Sequence, residues 1–269
     1  MHNNILKFGM PTLLEISNAE ETAKLCSELG LDFVELNMNL PEYQSKNLLN
    51  NIDKLNEIKD NYGIFYTLHL DENLDVANFN DDIRAAYLKL VSDTIVVAEK
   101  IDAKVIVMHM NHGIYYTIPE KRIRLYEQYL DFYLDCIQTY KDKCENLIAD
   151  KDVKICIENT EGFFDFEKKA VDVLLQSKVF GLTWDIGHSN NTNNVDVPFI
   201  MERENKLRHF HVHDGLGTKD HRPLGTGEID LKQRLEIAQK HNCTCLVETK
   251  TVDALKKSVA WLKENDYIK

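Results

Sequence analysis

No CxxC pair occurs in this 269-residue chain, and its six cysteines are too sparse for the disulfide framework of a small secreted domain. Cys26, Cys136, Cys144, Cys156, Cys243 and Cys245 instead fit a reducing, cytoplasmic setting. Nowhere do about 18 uninterrupted apolar residues follow one another, so no membrane span is expected. The opening MHNNILKFGM lacks a basic segment followed by a long apolar one, so no targeting peptide is expected either. Positive charge is also short: 32 Lys+Arg against 44 Asp+Glu leave a net charge of -12. That balance opposes attraction to a phosphate backbone and argues against a general nucleic-acid groove, while leaving room for a local basic patch. Linkers and low-complexity tracts are missing too, so residues 1–269 read as a single domain.

What the chain does have is alternation. Short β-rich apolar runs at Leu6–Met10, Phe33–Asn37, Ile64–Leu70, Val105–Met110, Lys154–Asn159, Gly181–Ile186, His209–His213 and Thr244–Thr249 read as strands. Helical periodicity fills the intervals at Glu20–Leu29, Asp81–Lys100, Glu120–Leu147, Phe166–Leu175, Leu231–His241 and Val252–Lys263. Parallel strands require helical crossovers, and eight such units in a chain of about 250 residues make a (β/α)8 TIM barrel of the α/β class. The polar stretch Ser189–Asp196 reads as a long loop on the barrel rim.

Most of these strands end in a metal-type ligand or a carboxylate: FYTLH at His69, VIVMH at His109, ICIE at Glu158, TWDIGH at Asp185 and His188, HFHVHD at His211, and CLVE at Glu248. His221 follows in DHRPLG. Barrel active sites gather at the C-terminal ends of the strands, so these side chains should form one polar cluster. Glu158, Asp185, His211 and Glu248 would make a hard, anionic pocket suited to Mn²⁺, Mg²⁺, Co²⁺ or Zn²⁺. Strand alternation turns His209 and His213 inward with His211, His209 as a deeper structural group and His213 as a rim group open to substrate. The same alternation faces Cys243 and Cys245 toward the helices, where they would pack rather than ligate.

The runs VMHMNHG, ICIENTEG, WDIGHSNN, FHVHDG, DHRPLGTGEID and LVETK resemble the xylose-isomerase-like barrel superfamily, which holds sugar isomerases and epimerases and also endonuclease IV. The ketose 3-epimerase branch implies one divalent ion on Glu158, Asp185, His211 and Glu248. There Glu158 and Glu248 would also serve as the acid/base pair of an enediolate reaction on a sugar, sugar phosphate or related polyol. His188 would then contact a substrate hydroxyl, with His69 and His109 left as substrate contacts. The endonuclease IV branch implies instead that His69, His109, His188 and His221 are additional ligands, bringing the count to two or three ions, with abasic DNA as substrate. All of that branch's ligand positions match except one, where Lys219 replaces an Asp; an ammonium offers no lone pair to a cation. A sugar- or metal-binding barrel without catalysis is the third reading.

Lys219 and Arg222, beside Gly215, Gly217, Gly225 and Gly227, read as a loop able to bind a carboxylate or phosphate. Glu35, at the end of the second strand, reads as a contact for a polyol hydroxyl. A homodimer is the commonest assembly for such an enzyme.

Overall fold

In the computed structural model, which describes residues 6–269, eight parallel strands close into a barrel. Residues 1–5, and with them the first half of the segment read as lacking a targeting signal, lie outside the described residues. The strands are β1 (Lys7–Pro11), β2 (Phe33–Asn37), β3 (Phe65–His69), β4 (Val105–His109), β5 (Lys154–Glu158), β6 (Phe180–Asp185), β7 (Leu207–Val212) and β8 (Thr244–Val247). Each lies beside its neighbours in sequence, and β1 closes the ring against both β2 and β8. This is the (β/α)8 TIM barrel that the alternation called for, with strand ends within about two residues of those expected.

Register puts the chemistry in one layer. His109 pairs with Glu158, and Asp185 pairs with His211, at the C-terminal ends of adjacent strands. Glu248 follows directly on β8, whose Leu246 pairs with His211. Because side chains alternate along a strand, residues at these positions share the barrel interior.

Local signals account for the helices between. Asn18 accepts the Glu21 N–H at 2.9 Å to start Ala19–Glu28, and Asn80 accepts from Asp82 and Ile83 to start Asp81–Ile101. Thr251 caps Val252–Glu264 in the same way. Gly63, in the left-handed region at φ 65°, ends Ile52–Tyr62, a helix the reading of the sequence left unassigned. Its apolar stripe, Ile52, Leu55, Ile58 and Tyr62, is narrow and set among charged residues, which masks the period.

Two segments differ from expectation. The helix expected over Glu120–Leu147 begins later, at Leu130–Ile148, after a short turn at Leu125–Gln128. Before it, Tyr115–Ile118 and Lys121–Arg124 form an antiparallel hairpin. Aromatic and β-branched residues, Tyr115, Tyr116, Thr117 and Ile118, make up the first strand, and Pro119 in the connection fits a turn rather than a helix interior. The loop expected over Ser189–Asp196 is partly helical, since Ile186–Asn191 is a short helix. The chain then turns through Asn193 and Asn194, both with positive φ.

The barrel interior below the polar layer is filled by large rings. Phe33 stacks on Phe65 at 5.0 Å and tilts against His209 at 5.8 Å. Gly9 on the adjacent β1 makes room, for a Cβ there would lie 2.4 Å from the Phe33 ring. Cys243 and Cys245 are buried as packing residues, and all six cysteines are free thiols. No helix is long and apolar enough to cross a membrane among the described residues.

Candidate active site

Asp185 ends β6 and also caps the short helix that follows, its Oδ1 accepting the His188 N–H at 2.7 Å. Its backbone is clamped to β5 by Asn159, whose side chain donates to the Asp185 carbonyl at 2.9 Å and accepts the Asp185 N–H at 2.8 Å. The same amide donates to Ser189 Oγ and Asp196 Oδ2, and Trp184 Nε1 also donates to Ser189. Buried polar groups cross-linked in this way fix one geometry, so this network sets where Glu158 and Asp185 stand relative to each other. Asn159 did not figure among the expected site residues; its only signal is its place directly after Glu158.

At the centre is one imidazole nitrogen ringed by carboxylates. His211 Nδ1 lies 3.2 Å from Glu158 Oε1, 3.1 Å from Glu248 Oε2 and 3.9 Å from Asp185 Oδ2. His211 and Asp185 are fully buried and Glu158 nearly so. Donor atoms of Glu158, Asp185, His211 and Glu248 all fall within 4.8 Å of one another. His211 Nδ1 and Glu248 Oε2 nevertheless have no hydrogen-bond partner. Buried polar atoms left unpaired at such distances are costly, whereas a cation among them would use every lone pair. Three carboxylates and one imidazole fit a divalent ion such as Mn²⁺, Mg²⁺, Co²⁺ or Zn²⁺.

Electrostatics agree with that fit. Burial opposes charge on Glu158, but the His211 and His109 rings outweigh it and hold the carboxyl well below its ordinary value. Glu248 is likewise held low against burial, by His211, His221 and Lys250. Burial opposes charge on His211, yet the Glu158, Glu35 and Glu248 carboxylates raise its pKa well above the usual imidazole range. His188 is pushed up to about 10 against its own burial by Asp185 and Glu158.

Glu158 has a second set of neighbours. Its Oε2 lies 3.4 Å from His69 Nε2 and 3.1 Å from His109 Nε2. These three residues form another convergent donor set within 4.8 Å. With Oε1 facing His211 and Oε2 facing this pair, Glu158 could bridge two ions.

His188, His213 and His221 also converge. His213 is not free to ligate there, because its Nδ1 accepts the His221 backbone N–H at 2.7 Å and its Nε2 contacts Asp185 at 3.0 Å. It was expected at the rim as a substrate contact, but it is fully buried and committed to Asp185. Gly187 permits this, since a Cβ there would fall 1.9 Å from His213 Cε1.

Other expectations need correcting. Glu35 was to meet a polyol hydroxyl; it is only 2% exposed and borders, beside His69 and Glu248, a second cavity of about 190 Å³. Its carboxylate accepts from Thr67 Oγ1 at 2.8 Å and lies 3.2 Å from His209 Nε2 and 3.1 Å from His211 Nε2. It therefore supports the imidazole layer from below. Lys219 and Arg222 were to line an anion-binding loop. Lys219 is exposed on the hairpin Asp214–Leu216/Lys219–Arg222, and the Arg222 guanidinium donates to the Thr226 carbonyl. Neither is among the residues lining the cavity over the carboxylate cluster.

That cavity, about 580 Å³, is lined by His69, His109, Glu158, His188, His221 and Glu248 among the residues expected. Asparagines, acids, Met110, His112, Gly113 and Thr160 make up most of the rest of the wall, and Lys250 is the one Lys or Arg among the described lining residues. Its ammonium is paired with Glu248 at 2.7 Å.

A family model described as xylose isomerase-like TIM barrel matches residues 23–265. The uncharacterized protein MJ1614 of Methanocaldococcus jannaschii is 27% identical over 266 residues, covering 96% of this chain and 99% of that protein. Among solved structures, a D-tagatose 3-epimerase-like protein superposes with a TM-score of 0.77 at 26% identity, covering 96% of both chains. The 3-keto-D-glucoside 4-epimerase YcjR from E. coli gives 0.76 at 18% identity over 96% of this chain and 99% of that one, a likeness of fold.

Proposed function

We propose, because this chain belongs to the xylose isomerase-like TIM barrel family, that it is a divalent-metal-dependent isomerase or epimerase acting on a sugar, a sugar phosphate or a related polyol. The observation that carries this reading is the convergence of Glu158, Asp185 and Glu248 on His211 Nδ1, with buried donor atoms left unpaired. A divalent cation held by these four residues would polarise a substrate carbonyl and lower the cost of removing the adjacent proton. Glu158 and Glu248 reach the cavity from different strands with their carboxyls held ionised, so either can take the proton, and the other can return one once it has picked it up from solvent. His188 rests its Nδ1 against the Asn159 carbonyl at 3.1 Å, which leaves Nε2 to meet a substrate hydroxyl. The amide-rich wall with a single, paired lysine favours a neutral polyhydroxylated substrate over a phosphorylated one. The likeness to the D-tagatose 3-epimerase-like protein supports the same class.

The test is proton exchange. Ketohexoses, D-tagatose and D-psicose included, are incubated with the protein in D₂O and followed by NMR. Exchange at the carbon next to the carbonyl, lost on chelation and restored by Mn²⁺ or Zn²⁺, is the expected result. No exchange across a full ketose panel, with metal saturated, would sink the reading.

The donor set of His69, His109 and Glu158 favours a second reading, an endonuclease IV-like enzyme with two or three ions. Against it stand the net charge of -12 and a wall whose one Lys or Arg among the described lining residues, Lys250, is already paired with Glu248. Elemental analysis of saturated protein separates the two. About one ion per chain supports the sugar enzyme, whereas two or three bring cleavage of abasic duplex DNA forward as the next assay.

A further inference from the structure

One imidazole at this cavity, that of His112, belongs to none of the convergent donor sets, neither the two around Glu158 nor that of His188, His213 and His221. His112 stands in the segment after β4, and its Nδ1 is 2.6 Å from Glu167 Oε1 across 55 residues of sequence. Glu167 is fully buried in the first turn of the helix Asp165–Leu175. Its other oxygen accepts the Phe164 N–H at 2.9 Å. Capping that helix needs only the one oxygen, so the second is spent on aiming a histidine. The His112 ring is steadied edge-on against Phe164, with centroids 5.1 Å apart at 83°.

In the neutral ring, a carboxylate at Nδ1 holds the proton there and leaves Nε2 as a lone-pair acceptor. That nitrogen has only weak protein neighbours, Thr160 Oγ1 at 3.5 Å and Glu161 Oε2 at 4.0 Å. The ring borders the same cavity as His109 and Glu158. An acceptor oriented this strongly and left without a close partner is suited to a ligand's donor.

We propose that His112, oriented by Glu167, is a substrate-contacting residue whose Nε2 accepts a hydrogen bond from a substrate hydroxyl remote from the carbon that exchanges its proton. The inference rests on the sugar reading above and assigns to His112 a part in specificity. Glu167 is the positioning residue that acts through it.

The experiment uses full-length, metal-saturated protein. Imidazole ¹⁵N NMR of the parent, with His112 assigned by comparison with His112→Phe, should show Nδ1 protonated and Nε2 bare, the latter shifting on titration with D-tagatose or D-psicose. His112→Phe keeps a ring of similar shape and removes the acceptor. It should weaken binding of the ketohexose about tenfold, as the loss of one hydrogen bond requires. Raised KM with little change in kcat should accompany this, and metal content should stay at the parental value. Glu167→Gln should loosen the tautomer preference in the same NMR signals and weaken binding in the same direction. Parent and His112→Phe binding the sugar equally, or an Nε2-protonated ring in the parent, would overturn the assignment while leaving the sugar reading intact. A parent that binds no ketohexose would overturn the sugar reading, and the ligand assigned to His112 with it.

Discussion

His213 donates its Nε2 proton to Asp185, lying 3.0 and 3.1 Å from the two carboxylate oxygens. The tautomer is set by the His221 backbone N–H, which occupies Nδ1 at 2.7 Å. A carboxylate held in this way keeps its orientation whether or not a cation is bound. His213→Gln should therefore weaken metal binding about 10- to 100-fold without unfolding the barrel. Gly187→Ala should do the same by displacing the ring, since the added Cβ would fall 1.9 Å from it. Competition with a chelating indicator, alongside thermal melting, measures both effects; unchanged affinity in the two variants would mean that Asp185 needs no such support.

The two glutamates give a sharper expectation. Glu158→Gln and Glu248→Gln keep shape and remove the base, so each should lower turnover by about 100-fold or more. Isotope exchange in D₂O measures this directly. Near-native rates in both variants would refute the proton-transfer assignment.

Metal uptake should depend on pH in a defined direction. Against burial, Glu158, Glu35 and Glu248 raise the His211 pKa well above 6.5, so in the metal-free protein the ring carries a proton that a cation must displace. Affinity should rise with pH, about tenfold per unit for each proton released. Calorimetry in buffers of different ionisation heat counts those protons, and zero release near neutrality would contradict the assignment.

Stability of the metal-free protein should run the other way at alkaline pH. The raised His211 contributes fully below 6.5 and its contribution fades as pH climbs through its folded value. Glu158 and Glu248, held low, contribute above 4.5 and lose that contribution on acidification. The cluster thus stabilises the metal-free fold most between 4.5 and 6.5. Melting temperatures at about pH 5.5 and about pH 8.5 compare the two regimes, with the lower pH expected to give the higher midpoint. A higher midpoint at the alkaline pH would count against the protonated ring.

Cysteine reactivity should be low. Burial pushes the Cys144, Cys156 and Cys243 thiols up to about 12, and Cys26 and Cys245 are raised further by the same cause. Only Cys136 is partly exposed. With a thiol reagent near neutral pH, Cys136 should react first and the other five only on denaturation. Fast labelling of more than one thiol in the native protein would contradict this packing.

Much of this was legible beforehand because barrels couple sequence period to position. A strand ending in His or Glu must present that side chain at the C-terminal rim, so His69, His109, Glu158 and Asp185 could be placed together from pattern alone. Glu35, Lys219 and Arg222 were misplaced for one shared reason: depth along a strand and the turn of a hairpin are three-dimensional quantities. Glu35 sits beneath His211 rather than at the rim, and Arg222 is bound by its own loop.

The order of apolar runs and the His, Asp and Glu residues that end them determined the fold and the composition of the central cluster, since parallel strands, right-handed crossovers and alternating side chains leave few other arrangements. Which nitrogen faces which carboxylate was decided only by the tertiary structure. Partners such as His112 with Glu167, or His213 with Asp185, are 55 and 28 residues apart. No local period encodes such a meeting; it arises only when the closed barrel and its packed loops bring the two chain segments together.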